Sequence, residues 1–322
     1  HGLIGRKIKM IIYTRLPLEC LYTFILCIEH EIKRRQIMKT RFIDFEGVHG
    51  SGKSACAWNL YNNLKEHGIN AKVYFEYDLD NAHENPCDLN FLAVLKKTEL
   101  DCIIKKFSKY LEHAMGSIKQ YGKYYCVFYA AFSDVPELVS ELEAYKAYEG
   151  RLDTDDFIQL IKNRIQHFVD IALENKYIYI FESIIFQQIL NELIRFSDCT
   201  ADDMVNFILE IEKIIKPLNP TIFYLKPNDL KAQIDKVAAE RLSDNYELYP
   251  DWIDWMVEYV KNSKYGKQNA VKNRADLMTY FINRAEIERR IFESLTINKQ
   301  EVIVGHMDYE AENQHIYREV IK

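Results

Sequence analysis

The chemistry this chain offers is concentrated in eight residues, Gly47-Val48-His49-Gly50-Ser51-Gly52-Lys53-Ser54. They fit the pattern Gly-x-x-x-x-Gly-Lys-[Ser/Thr], the Walker A pattern, in which glycines let successive backbone N–H groups turn inward around an anion. Lys53 is then placed to reach the β- and γ-phosphates of a nucleoside triphosphate, and Ser54 to offer its hydroxyl to Mg²⁺. A helix starting at Lys53 adds the positive end of its dipole at the same point. The bland alternative is a glycine-rich turn that binds nothing, which has no need of a strand before it and a helix after it.

The flanks supply both. Residues 41–46 (RFIDFE) read as a short buried strand and residues 53–66 as the helix that follows. Residues 71–77 (AKVYFEY) make a second strand by their aromatic and β-branched content, and 177–181 (YIYIF), 221–225 (TIFYL) and 301–304 (EVIV) make three more. Helices lie between them, such as 201–216, where Met204, Val205, Ile208, Ile211, Ile214 and Ile215 keep one apolar face. Strands separated by helices indicate an α/β fold with a five-stranded parallel sheet covered on both faces, a three-layer sandwich. Residues 90–153 and 241–296 are too long for simple crossovers and read as helical insertions over the carboxyl edge of the sheet.

Composition removes other classes of function. The chain has 322 residues, 48% hydrophobic and 28% charged, with only 11 Gly and 7 Pro. That is the profile of a helix-rich globular protein. A net charge of −6 lacks the broad cationic footprint of nonspecific nucleic-acid binding. Seven cysteines, an odd number spread singly without zinc spacing, point to reduced thiols in a cytoplasm. No stretch reaches the ~20 apolar residues of a membrane helix. Residues 1–37 differ from the rest, basic and without a sustained period. Arg34-Arg35 stands shortly ahead of Met38, as an in-frame purine-rich ribosome-binding sequence would encode, so the expectation is a translated leader before a domain spanning 38–322.

Further motifs separate the kinds of nucleotide chemistry. Asn298-Lys299-Gln300-Glu301 is like the guanine-reading Asn-Lys-x-Asp, but it precedes a strand instead of following one. The third strand ends in a single acid, Glu182, the position from which a carboxylate organises Mg²⁺ or a hydroxyl nucleophile; a solvated strand-end acid is the alternative. Asn163-Arg164-Ile165-Gln166-His167 lies on a helix, and Arg164 falls on its apolar stripe with Phe157, Ile161, Ile165 and Phe168. Arg241 ends the stripe of Leu230, Ile234 and Val237. An arginine on such a face needs a phosphate or carboxylate partner or must snorkel to water.

This order resembles P-loop kinases of the thymidylate kinase and deoxynucleoside kinase group, within the P-loop NTPases. Their sequence runs phosphate loop, helix with Asp-Arg-x-x-His/Gln, strand ending in Asp/Glu-Arg, then Pro-Asp-x-x-(apolar)-Tyr-Leu and a basic lid. Here 163–167, 177–183 and Pro220-Thr221-Ile222-Phe223-Tyr224-Leu225 look like those parts, with Lys236 and Arg241 in lid-like positions. The resemblance implies an ATP-binding, Mg²⁺-dependent transferase, a kinase acting on a small-molecule acceptor, with Lys53, Glu182 and Arg241 catalytic, residues 47–54 on the nucleotide, and Ser54 and Glu182 on the metal. Three departures stand out: Asn163 replaces Asp, Ser183 replaces the Arg after the acid, and Glu76-Tyr77-Asp78 stands where the thymidylate family has an acceptor-phosphate Arg.

The segment after the second strand bears on the acceptor. Residues 73–95 contain no Lys or Arg but hold Glu76, Asp78, Asp80, Glu84 and Asp88. Ligands of open α/β sheets collect beyond the carboxyl ends of the strands, so Glu76, Asp78, Asp80 and Arg164 are the candidate acceptor contacts. A neutral or cationic hydroxyl compound suits them better than a phosphorylated one, and a solvated acidic loop suits them as well. The reading from another class is an NTP-binding switch or ATPase that transfers phosphate only to water.

Overall fold

Apolar β-branched and aromatic runs too short for helices form the centre of the molecule. In the computed structural model, which describes residues 40–76, 85–86, 88–111, 118–304 and 309–321, β1 (Phe42–Gly47) is flanked in parallel by β6 (Ile178–Glu182) and β7 (Thr221–Pro227). β2 (Ala71–Tyr74) and β8 (Asn298–Val304) form the two edges, giving the order β2-β6-β1-β7-β8. All five strands read from the sequence are in this sheet. Both faces are covered, which is why β1 and β6 carry almost no solvent-facing residue.

The strand pleat sends alternate residues to different layers. Helix α1 (Lys53–Glu66) packs on β1, β2 and β6, burying Cys56, Ala57, Leu60 and Leu64. On the other face, Phe42, Tyr74, Phe181, Ile222 and Tyr224 join one large core. To it contribute α4 (Thr154–Glu174), α5 (Gln187–Phe196), α6 (Ala201–Ile215) and α10 (Arg274–Ser294). The molecule is therefore an α/β protein whose five-stranded parallel sheet is flanked by helices. One compact unit, Thr40–Tyr317, holds all the strands among the described residues. The proposed leader at 1–37 lies outside the described residues.

The two insertions differ. Residues 241–296 are helical as expected, with α8 (Trp252–Lys261), the short α9 (Lys264–Gln268) and α10. Residues 90–153 are not simply helical. Besides α2 (Lys97–Leu111) and α3 (Pro136–Glu143), they build an antiparallel sheet of β3 (Leu92–Lys96), β4 (Lys119–Tyr121) and β5 (Tyr124–Phe128), in the order β3-β5-β4. β4 and β5 meet at Gly122-Lys123, with Gly122 at φ 60°, the glycine-first two-residue turn that suits the strand twist. This sheet and its helices have a core of their own, including Leu95, Leu100, Ile103, Val127, Phe132, Leu138 and Leu142. After β8 comes the last helix, α11 (Tyr309–Ile321).

The Asn298-Lys299-Gln300-Glu301 stretch is the start of β8 itself, and Lys299 Nζ donates to the carbonyls of Phe292, Glu293 and Leu295 at 2.6, 2.8 and 2.8 Å. Its charge stabilises the carboxyl end of α10. A guanine-reading role has no support in that arrangement.

Candidate functional site

Between β1 and α1 the chain makes a tight loop whose backbone only glycine accepts. Gly47, Gly50 and Gly52 have φ of 140°, 72° and 94°. A Cβ on Gly47 would lie 2.4 Å from the Leu225 carbonyl oxygen, and one on Gly50 would lie 2.2 Å from Val237 Cγ2. α1 starts with no side-chain cap and no acid in its first turn. Its first N–H groups therefore retain their demand for an acceptor, and the dipole favours an anion in front of them. Those of Gly52, Lys53 and Ser54 belong to that set.

Lys53 is buried at 6% exposure, its Nζ donating to the carbonyls of Gly47 at 3.0 Å and Val48 at 3.1 Å. Burial pushes its pKa down, against the attraction of Glu182, Glu76 and Glu46. One residue on, Ser54 Oγ donates to Glu182 Oε1 at 2.6 Å. Glu182 reaches this place because β6 lies beside β1, with Phe45 opposite Glu182. Glu76, just past β2, joins the same field: burial raises its carboxyl to about 7 despite Lys53, and Gln187 Nε2 donates to it at 2.5 Å. Lys53, Ser54, Glu182 and Glu76, which the sequence singles out separately, thus converge.

The other candidates are placed differently. Arg164 is buried at 4% exposure and donates to the carbonyls of Asp88 and Asn85, each at 3.0 Å. It anchors the end of the acidic segment and lines a cavity beside β2. Asp78 and Asp80 lie outside the described residues. Arg241 is the exposed C-cap of α7 (Leu230–Glu240), its guanidinium 5.5 Å from the centre of the Trp252 ring. Lys236 pairs with Glu240 at 3.8 Å on the surface. Helix α7 leans on the loop itself, Val237 meeting Gly50 and Gln233 Nε2 donating to the His49 carbonyl at 3.5 Å. His49 packs against Trp252 and Phe281 at 5.3 and 5.8 Å. Burial, with Arg284, Lys53 and Arg241 adding to it, holds the imidazole well below its ordinary pKa, so it stays neutral.

Beneath this layer lies a buried charged network absent from the sequence reading. Asp44 and Glu46, two apart on β1 and so on one face, accept from the turn after β6: Ile184 N to Asp44 at 3.3 Å, and Ile185 N and Phe186 N to Glu46 at 2.8 and 2.6 Å. Burial and, for Asp44, the neighbouring Glu46 hold both carboxyls above the usual range. They fix the turn that begins at Ser183, a buried residue at φ 63°. Arg284 of α10 is also buried, paired with Glu288 at 2.7 Å and donating to Asn191 Oδ1 at 2.8 Å. Glu288 accepts from the Tyr224 hydroxyl at 2.9 Å. Arg284 was detectable by the criterion that finds Arg164, since it shares an apolar stripe with Leu277, Tyr280, Phe281, Ile287 and Ile291.

No protein-family model matches the chain, and no curated protein matches it. The functional reading therefore rests on this geometry. Among the described residues no group of three or more His, Cys, Asp or Glu is arranged around a metal. Ser54 Oγ and Glu182 Oε1 bring two hard oxygen donors to one point, the donor type that Mg²⁺ takes. None of the described helices is long and apolar enough to cross a membrane.

Proposed function

We propose that the protein is an ATP-binding, Mg²⁺-dependent phosphotransferase of the P-loop kinase type, acting on a small hydroxyl acceptor. The observation that carries this reading is the 2.6 Å hydrogen bond from Ser54 to Glu182 at the start of α1, beside the buried Lys53. Phosphoryl transfer needs little beyond positioning and charge. The amides at the start of α1, with the loop of residues 47–54 around them, would hold the β-phosphate, and the Lys53 ammonium would move from the Gly47 and Val48 carbonyls to the γ-phosphate. Ser54 and Glu182 would hold Mg²⁺, whose positive charge would offset that of the phosphates. As the acceptor oxygen forms its bond to the γ-phosphorus, the bond to the β-γ bridging oxygen breaks and the acceptor proton passes to a carboxylate of the acceptor pocket that does not hold the metal. Arg241, at the end of the helix that covers the loop, is the lid cation.

On the acceptor side stands Glu76, with Arg164 holding the carbonyls of Asn85 and Asp88, and the sequence offers Asp78 and Asp80 as further contacts. Acids without a cation among them suit a neutral or cationic acceptor. The second reading, an ATPase that uses water, is favoured by the commitment of Arg164 to main-chain carbonyls, which leaves acceptor recognition to Glu76 and Gln187. ATP consumption with Mg²⁺, measured with and without a library of nucleosides and hydroxyl metabolites, separates the two. Stimulation by one class supports the kinase, and constant hydrolysis supports the ATPase. Absence of Mg²⁺-dependent ATP binding in calorimetry would overturn both.

A further inference from the structure

Helices α7 and α10, with the start of α8, enclose a groove of about 350 Å³. Its walls are apolar, with Ile234 and Ala238 from α7, Ile253 from α8, and Leu277, Met278 and Phe281 from α10. Its charged lining residues already have partners: Asp235 pairs with Lys231, Arg274 pairs with Asp254, and Asp251 accepts from the Ser243 amide. The lining follows α7 from Ile234 past its end to Leu242, roughly 12 Å at the helical rise. A partner helix can lay two turns of apolar side chains along that length.

The chain between α7 and α8 extends this apolar face. It is pinned at both ends, the Trp252 amide donating to the Arg241 carbonyl at 3.2 Å and the Ser243 amide to Asp251 at 2.9 Å. Inside it the amides of Leu248 and Tyr249 donate to the Asn245 carbonyl at 3.1 and 2.9 Å. This closed loop nonetheless holds Leu242, Tyr246, Leu248 and Tyr249 in water, at 64, 58, 70 and 71% exposure. Leu242 also lines the groove, so loop and groove are continuous. An apolar patch of several hundred Å² on one side of a molecule marks an interaction surface.

Charge selects the occupant. From Leu242 to Asp254 the chain carries Asp244, Glu247, Asp251 and Asp254 and no Lys or Arg. Asp244 and Glu247 are exposed and form no ion pair among the described residues. A second copy of this face, an anionic lipid surface or a nucleic acid would each bring further negative charge against them, whereas a cationic partner is attracted. We infer that groove and loop form a docking site for a basic amphipathic helix of a partner protein. The apolar stripe of that helix, spaced i, i+3, i+4 and i+7, enters the groove between α7 and α10. Tyr246, Leu248 and Tyr249 extend the contact, and the lysines or arginines of the helix meet Asp244 and Glu247.

The probe is a fluorescein-labelled peptide of Leu and Lys, about five helical turns long, with its leucines on one face. Two controls accompany it, the same composition scrambled to remove the apolar face and the same pattern with Glu in place of Lys. In fluorescence anisotropy with the full chain, the Leu/Lys helix binds at least tenfold more tightly than either control. Asp244→Lys combined with Glu247→Lys weakens it tenfold or more, and so does Ala239→Arg, which puts a cation on an exposed lining position of the groove. Tyr249→Ser, at the exposed tip of the loop, gives a loss in the same direction and serves if Ala239→Arg disturbs α7. Absence of binding overturns the inference, as does equal binding of a control or binding that all these variants preserve. Dimerisation of the chain in sedimentation, or binding to phosphatidylserine vesicles, that Tyr249→Ser abolishes would give the face to a second copy or to a membrane and overturn it as well.

Discussion

Lys53, Glu182 and Glu76 occupy one electrostatic field, and each makes a different demand on experiment. On the proposed function, Lys53→Ala removes the charge that would hold the γ-phosphate and offset charge in transfer, so turnover should fall to background in an ATP consumption assay. Glu182→Gln keeps the shape and loses the charge. The expected result is ATP affinity within a few-fold of wild type and a kcat lowered about a hundredfold, read from steady-state kinetics at saturating Mg²⁺. An unchanged kcat would return Glu182 to a solvated strand end. Glu76 gives a prediction in pH. Its carboxyl titrates near 7 when folded instead of 4.5, so folding favours its protonated form. The stability from that preference is complete below the unfolded pKa and is lost as pH rises from about 4.5 through 7. Glu76→Gln cannot ionise. Its melting temperature should match wild type near pH 4.5 and exceed it at pH 8, and a constant difference across that range would show that Glu76 is not the group concerned.

At the scale of elements, the loop and helix α7 are one mechanical piece because Gly50 leaves room for Val237. Gly50→Ala forces a Cβ into a left-handed position, at a cost of about 1 to 2 kcal/mol before any clash. Val237→Ala relieves the clash and not the strain. A double-mutant cycle in urea should therefore show a coupling of about 1 kcal/mol in the relieving direction. The elements also show what a sequence can disclose. The inner strands β1, β6 and β7 were legible because strands buried on both faces are continuous apolar runs, as in YIYIF and TIFYL, and the half-exposed edges β2 and β8 by their β-branched and aromatic content. Their order was not, since it is set by which helix crosses which face. The small sheet escaped notice because β3, β4 and β5 have five, three and five residues, too few to establish a period of two among long helices. In the site, Lys53, Ser54 and Glu182 stood out by spacing and strand end. Asp44 and Glu46 did not, because acids inside an apolar strand look like its solvent-facing half until another chain segment is found donating to them. Arg284 was visible by periodicity, but its ion pair with Glu288 was not.

At the scale of the whole molecule, two separate cores imply two responses to damage. Leu138, fully buried, belongs to the core of the inserted sheet, and Leu190, also fully buried, to that of the parallel sheet. Truncating either to Ala costs about 2 to 5 kcal/mol. Leu138→Ala should loosen residues 92–142 first, seen as amide hydrogen exchange in β3 and β5 well ahead of β1, whereas Leu190→Ala lowers the whole transition. Equal exchange throughout in both variants would mean that the cores melt together. One detail also bears on how such a protein lives among the many anions of its surroundings. The Lys53 ammonium already has two oxygen ligands, supplied by its own loop. On the proposed function, a chloride or a lone phosphate would offer too little to draw it away, whereas a chain of phosphates would meet the ammonium and the first amides of α1 in one step. The loop would then set a threshold for admission, a filter that operates before any acceptor is chosen.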